Sequence, residues 1–136
     1  MAVEQVAQAV DQQAGVAATE RNVAVASHLS ALLGWAVPGV GHLLGPLAIW
    51  WLKGADSAFV RLHSLEALNF QISLTIYSAL GMLLGMAAAI AAHSVAPVII
   101  VFVAVGVIDT ALIVRAALVA SSGQAYRYPL TLRFFK

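Results

Sequence analysis

The sequence contains no cysteine, and only 10% of its 136 residues are charged. Without cysteine there are no disulfides, no thiolate metal sites and no thiol nucleophile, and the redox compartment stays open. A formal net charge of +1 leaves no long-range field and no basic stripe of the kind nucleic acid demands. Phosphate-cradling glycine loops and nucleophile–base pairs are also missing. These absences argue against an enzyme, a cofactor or a nucleic-acid partner. The first 22 residues hold Glu4, Asp11 and Glu20 against one late Arg21, the wrong balance for the start of a secretory signal. They read as a flexible tail, residues 1–22.

What fills the chain is apolar. Hydrophobic residues make up 62% of it, against roughly 45–50% in soluble domains, and the mean hydropathy is +0.92. A chain of this size has no interior large enough for that surface, so the lipid bilayer becomes its partner. The expected fold is all-α: an integral membrane helical bundle with three hydrophobic segments over residues 23–123, followed by an aromatic and basic interfacial tail, 124–136.

The first segment, Val25 to Leu52, has no formal charge but is broken at Pro38-Gly39, with Gly41, Gly45 and Pro46 close behind. Proline removes a backbone donor and glycine weakens helix. A broken helix crossing once is the favoured reading, with a re-entrant hairpin plus two spans as the alternative; a single crossing puts the N-terminus outside. Trp50 and Trp51 beside Lys53 form an interfacial anchor pattern. Gly54 suits a helix end, and Asp56 or Ser57 suits the start of the next.

The second segment runs from Phe59 to Ala92. Its small-residue face, Gly81, Gly85 and Ala89, admits a close helix neighbour, and packing within the chain is favoured over a dimer seam. The His93-Ser94 turn makes the third segment, about 95–120, its antiparallel neighbour. Lys53 and Arg61 precede the second span, while Arg127, Arg133 and Lys136 follow the third; the 93–94 turn has no cation. The positive-inside bias therefore places the C-terminus in the cytoplasm. The tail residues Tyr126, Arg127, Tyr128, Pro129 and Arg133 have the make-up of an interfacial belt.

At ~100° per residue, His63, Glu66, Asn69, Phe70, Ser73 and Tyr77 share one helix face, and Ser64, Gln71, Thr75 and Ser78 share another. A helix in lipid does not carry two polar stripes, so protein or a wet cavity must surround this half. Arg61, His63, Glu66, Asn69, Gln71 and Arg115 form a candidate cytoplasmic gate or docking face. If residues at equal depth in the paired spans have numbers adding to about 187, Asp109 lies level with Tyr77. The first segment then brings His42 near both. His42, Tyr77 and Asp109 become a candidate intramembrane polar cluster, read either as a proton or ion site or as helix glue. His63-x-x-Glu66 is one ligand pair without the further ligands a metal needs.

Five segments carry a resemblance: HLSALLG at 28–34, GPLAIWWL at 45–52, FVRLH at 59–63, EALNFQIS at 66–73 and YRYPLTLRFFK at 126–136. They resemble a widespread bacterial membrane family of unknown function, grouped with the twenty-kilodalton subunit of the chloroplast inner-envelope import translocon. The resemblance implies a multi-pass protein of the bacterial inner membrane. Leu65 stands where the family pattern has a basic residue, and no catalytic residue comes with the family. The expected function is a non-enzymatic subunit or accessory factor, a homo-oligomer or part of a larger membrane complex. An oligomeric channel or translocon-like conduit for ions, protons or polypeptide is the alternative.

Overall fold

The structure, a computed structural model, describes residues 15–136, and no strand occurs among them. The expected tail lies largely outside these residues, but its end is helical: α1 is Ala18–Leu29, with the Ala17 amide donating to Glu20 Oε2 at 2.9 Å. A 3-10 helix, Ser30–Trp35, extends it. The chain then turns through Gly39, whose φ of 91° suits glycine, into α2, Gly41–Lys53. Ser57 caps α3, Ala58–Ala92, by accepting from the Val60 amide. His93 in the left-handed region ends α3, and α4 is Ala96–Ser121 with proline in its first turn.

The first segment is broken where the sequence indicates, but it folds back instead of crossing. A Cβ on Gly34 would touch His42, one on Gly41 would meet the Leu33 carbonyl, and one on Gly45 would strike Ser30. Partner numbers fall as chain numbers rise, so the two arms are antiparallel and their backbones nearly touch. This is the re-entrant hairpin. Side-chain-free positions at three successive contacts allow an approach that larger residues forbid. The outer arm also runs antiparallel to α4: Arg21 lies against Gly123, and the Trp35 ring against Gly106. The start of α1, the end of α2 and the end of α4 therefore share one end of the molecule, which is not the arrangement a single crossing of the first segment would give.

Helices α3 and α4 are long and apolar enough to cross a membrane, with mean hydropathy 1.9 and 2.6 in their most apolar windows, of which only 6% is buried. Core helices of soluble proteins would be mostly buried, so these faces are built for lipid. Burial is confined to one end. From Val60 to Ser73 α3 is largely enclosed, and α4 is enclosed on one side at Ile113, Ala116, Ala117 and Ala120. Beyond Thr75 the helix pair projects with exposed leucines, isoleucines and valines. The projecting part of α3 is about 27 Å long at ~1.5 Å per residue, close to the ~30 Å of a hydrocarbon core. Within it Gly81 faces Val101, and Gly85 packs on Pro97, Val98 and Val101. That small-residue face is an internal seam, with Ala89 half-buried one turn on.

Candidate functional site

The two polar stripes of α3 meet two different partners. The first stripe holds the C-terminal tail. Glu66 Oε1 accepts from the Tyr128 amide and from the Arg133 guanidinium, both at 3.0 Å. Asn69 Oδ1 accepts from the amides of Phe134 and Phe135, and its Nδ2 donates to the Phe135 carbonyl. Ser73 Oγ accepts from the Leu132 amide at 2.9 Å, and Tyr77 Oη donates to the Leu130 carbonyl at 2.8 Å. The tail thus climbs α3 to Leu130, turns there with a φ of 55°, and descends. Non-helical backbone packed against a helix needs partners for its polar groups. The stripe supplies them, while Leu130, Phe134 and Phe135 face outward.

The belt expected of the tail is accordingly divided. Arg127, Pro129 and Arg133 are exposed, but Tyr126 and Tyr128 belong to the core with Phe70 and Ala116. Tyr128 stacks on Phe70 with ring centroids 4.0 Å apart. Its hydroxyl reaches His28 Nδ1 at 3.0 Å, and His28 Nε2 reaches His63 Nδ1 at 2.8 Å. Burial pushes the Tyr128 phenol far above its ordinary pKa, so it stays protonated and donates. His28 is then protonated on Nε2 and donates to His63 Nδ1. The chain ends on His63 Nε2, which is the one buried polar side-chain atom without a partner among the described residues.

Burial, assisted by the neighbouring His63, lowers the His28 pKa from 6.5 to about 3. The folded protein therefore holds His28 neutral where the unfolded chain would protonate it. This contribution is fully present above about pH 6.5 and is lost at about 1.4 kcal/mol per unit as pH falls toward 3. We expect the melting temperature in detergent to drop between pH 7 and pH 5, and His28→Gln to reduce that slope.

The second stripe faces the hairpin. Its Gln71, Thr75 and Ser78, with Trp35, Gly106 and the hairpin turn, line a cavity of about 480 Å³. Gln71 Nε2 donates to Asp109 Oδ1 at 2.9 Å, and His42 Nε2 lies 2.8 Å from Thr75 Oγ1. His42 and Asp109 therefore line one cavity together with Gln71 and Thr75, whereas Tyr77 points to the tail. Tyr77 lies on the other polar face of α3. The register is displaced as well: Gly81 already faces Val101 near the turn, and Asp109 meets Gln71, about two helical turns below Tyr77.

Of the proposed gate or docking face, His63, Glu66, Asn69 and Gln71 are buried within the chain, whereas Arg61 and Arg115 are exposed. Sequence reasoning missed His28, Ser73 and Thr75 as functional positions. The hydroxyls were visible in the stripes; His28 had only its place in the HLSALLG segment. Among the described residues no group of three or more His, Cys, Asp or Glu converges.

A family model described as the magnetosome magnetite crystal formation protein family, MamF/MmsF, matches residues 19–135. No curated protein and no solved structure matches the chain. The match is to a bacterial membrane family, as the five segments suggested, and gives no support to kinship with the chloroplast import translocon.

Proposed function

The chain belongs to the magnetosome magnetite crystal formation protein family, and from that premise we propose that it acts as a non-enzymatic subunit of a magnetosome membrane assembly. One observation favours a subunit over a conduit. Beyond Ser78 and Asp109, residues 79–92 and 95–108 contain no polar side chain. An ion crossing a single chain would face about 20 Å of apolar helix, where charge is expensive. The polar machinery sits at one end, so the chain contributes by binding there.

The orientation reading follows the same asymmetry. All seven Lys and Arg lie on the tail end or in the helix halves beside it, because the hairpin returns Arg21 to the side of Lys53 and Arg133. The positive-inside bias favours that end in the cytoplasm. The test reconstitutes the purified chain in liposomes and isolates it gently from native membranes. No proton or Fe²⁺ flux above empty vesicles, with stable co-purification of a membrane partner, is the expected result. Flux proportional to incorporated protein, or label from outside the cytoplasm reaching a cysteine placed at Ala17, would overturn the corresponding part.

A further inference from the structure

We propose that the cavity between the hairpin and the two spans is a binding site for a hydrated divalent transition-metal ion, with Asp109 and His42 as its ligands. The inference starts from where the hydrogens go. Thr75 Oγ1 donates to the Gln71 carbonyl at 2.7 Å. Its hydrogen is thereby committed, so in the contact with His42 the imidazole must be the donor. His42 then carries its proton on Nε2 and keeps a lone pair on Nδ1. Ser78 donates to the Leu74 carbonyl at 2.6 Å. An ionised Asp109 accepts only, so Gln71 must turn its amide nitrogen to Oδ1, leaving Oε1 free.

Three acceptor atoms have no partner among the described residues: Asp109 Oδ2, Gln71 Oε1 and His42 Nδ1. None is sealed off, because His63 Nε2 is the one buried unpartnered side-chain atom among the described residues. All three residues line the cavity. Thr75 and Gln71 stand one turn apart on α3 and hold ligands from two different elements, α2 and α4. A pocket with one carboxylate, an imidazole lone pair and an amide oxygen, its hydroxyl hydrogens all directed elsewhere, suits a cation. Apolar walls such as Trp35 and Leu74 strengthen that preference by lowering the local dielectric.

The ligand types narrow the cation further. An imidazole nitrogen selects first-row transition metals over Mg²⁺ or Ca²⁺, which prefer oxygen alone. Two strong ligands are fewer than a structural zinc site uses, so water completes the shell and the ion can leave. Magnetite is an iron oxide, and Fe²⁺ is the ion of this class that the family's process handles. That choice of ion rests on the role proposed above, whereas the cation class rests on the cavity.

The experiment uses the full chain in lipid nanodiscs under anaerobic conditions, in a His93→Gln background that removes the exposed imidazole at the far turn. Fe²⁺ and Co²⁺ are titrated separately, and Mn²⁺ serves as the probe for nitrogen coupling by pulsed electron paramagnetic resonance. The expected result is one saturable ion per chain, with coupling to a histidine nitrogen. Asp109→Asn should weaken affinity by about tenfold or more, His42→Gln should remove the nitrogen coupling, and Asp56→Asn should leave both unchanged. Absence of saturable binding at millimolar Co²⁺, or unaltered binding in both cavity variants, overturns the proposal. If either variant fails to fold, the wild-type coupling decides, since its absence refutes a His42 ligand. Nothing in this titration involves a partner protein, so its failure is separate from failure of the assembly role.

Discussion

Asn69→Ala is expected to release the C-terminal tail from α3 and to destabilise the protein by about 2–4 kcal/mol. Asn69 is 1% exposed and serves two amides and one carbonyl of the tail. Alanine returns none of these bonds. The freed groups lie at the enclosed end of α3, where Asn69 itself is buried and each unsatisfied group is costly. The tail's remaining anchors are then insufficient to hold the descending limb, residues 132–135. Tyr77→Phe removes a single bond, to the Leu130 carbonyl, and should cost about 1 kcal/mol. Limited trypsin digestion reads the difference at Arg133, which lies between the Ser73 contact at Leu132 and the Asn69 contacts at Phe134 and Phe135. Cleavage there should accelerate strongly in Asn69→Ala and little in Tyr77→Phe. Equal rates in the two variants would mean that the tail is held by its buried tyrosines alone.

That ladder shows what a sequence displays and what it hides. The stripe His63, Glu66, Asn69, Ser73, Tyr77 is plain at helical spacing, and so is the conclusion that lipid does not cover it. Its partner is invisible because the partner is backbone, and backbone has no signature. The tail's own residues point the wrong way: tyrosine, arginine and phenylalanine near a terminus are the composition of an interfacial belt. Alternation decides the matter, with Tyr126 and Tyr128 turned inward against Phe70 and Arg127 outward. The cavity was half legible. His42 and Asp109 follow from the break after Pro38 and the turn at His93, whereas the exchange of Tyr77 for Gln71 depends on which polar face of α3 meets the hairpin and which meets the tail, and helical spacing does not decide that. The hairpin was legible in a feature read only as weakness: Gly41 and Gly45 loosen helix, but with Gly34 they also permit two backbones to touch.

Gly45→Val isolates that second role, and its expected effect is opening of the hairpin at a cost of about 3 kcal/mol or more. A Cβ at Gly45 meets the Ser30 side chain and lies 2.8 Å from the Ser30 carbonyl oxygen. The hydroxyl can rotate away, but the carbonyl belongs to the backbone of the opposite arm and can yield only if the arms separate. Valine adds two branches to the same clash. Gly39→Ala provides the contrast: nothing lies within 4 Å of its Cβ, so it bears only the conformational penalty of a positive φ, roughly 1–2 kcal/mol. Separation of the arms would draw Trp35 from Gly106 and remove the wall that carries His42, so the cavity should open together with the hairpin. Because the natural chain has no cysteine, a single cysteine at Ala17 reports which side of the membrane the N-terminus occupies. In the wild type it should label from the same side as a cysteine at Lys136. In Gly45→Val the chain either unfolds or exchanges its hairpin for one full crossing, and in the second case the two labels part. A Gly45→Val protein that melts and labels like the wild type would mean that the arms do not close on Ser30, and the re-entrant geometry would fall with it.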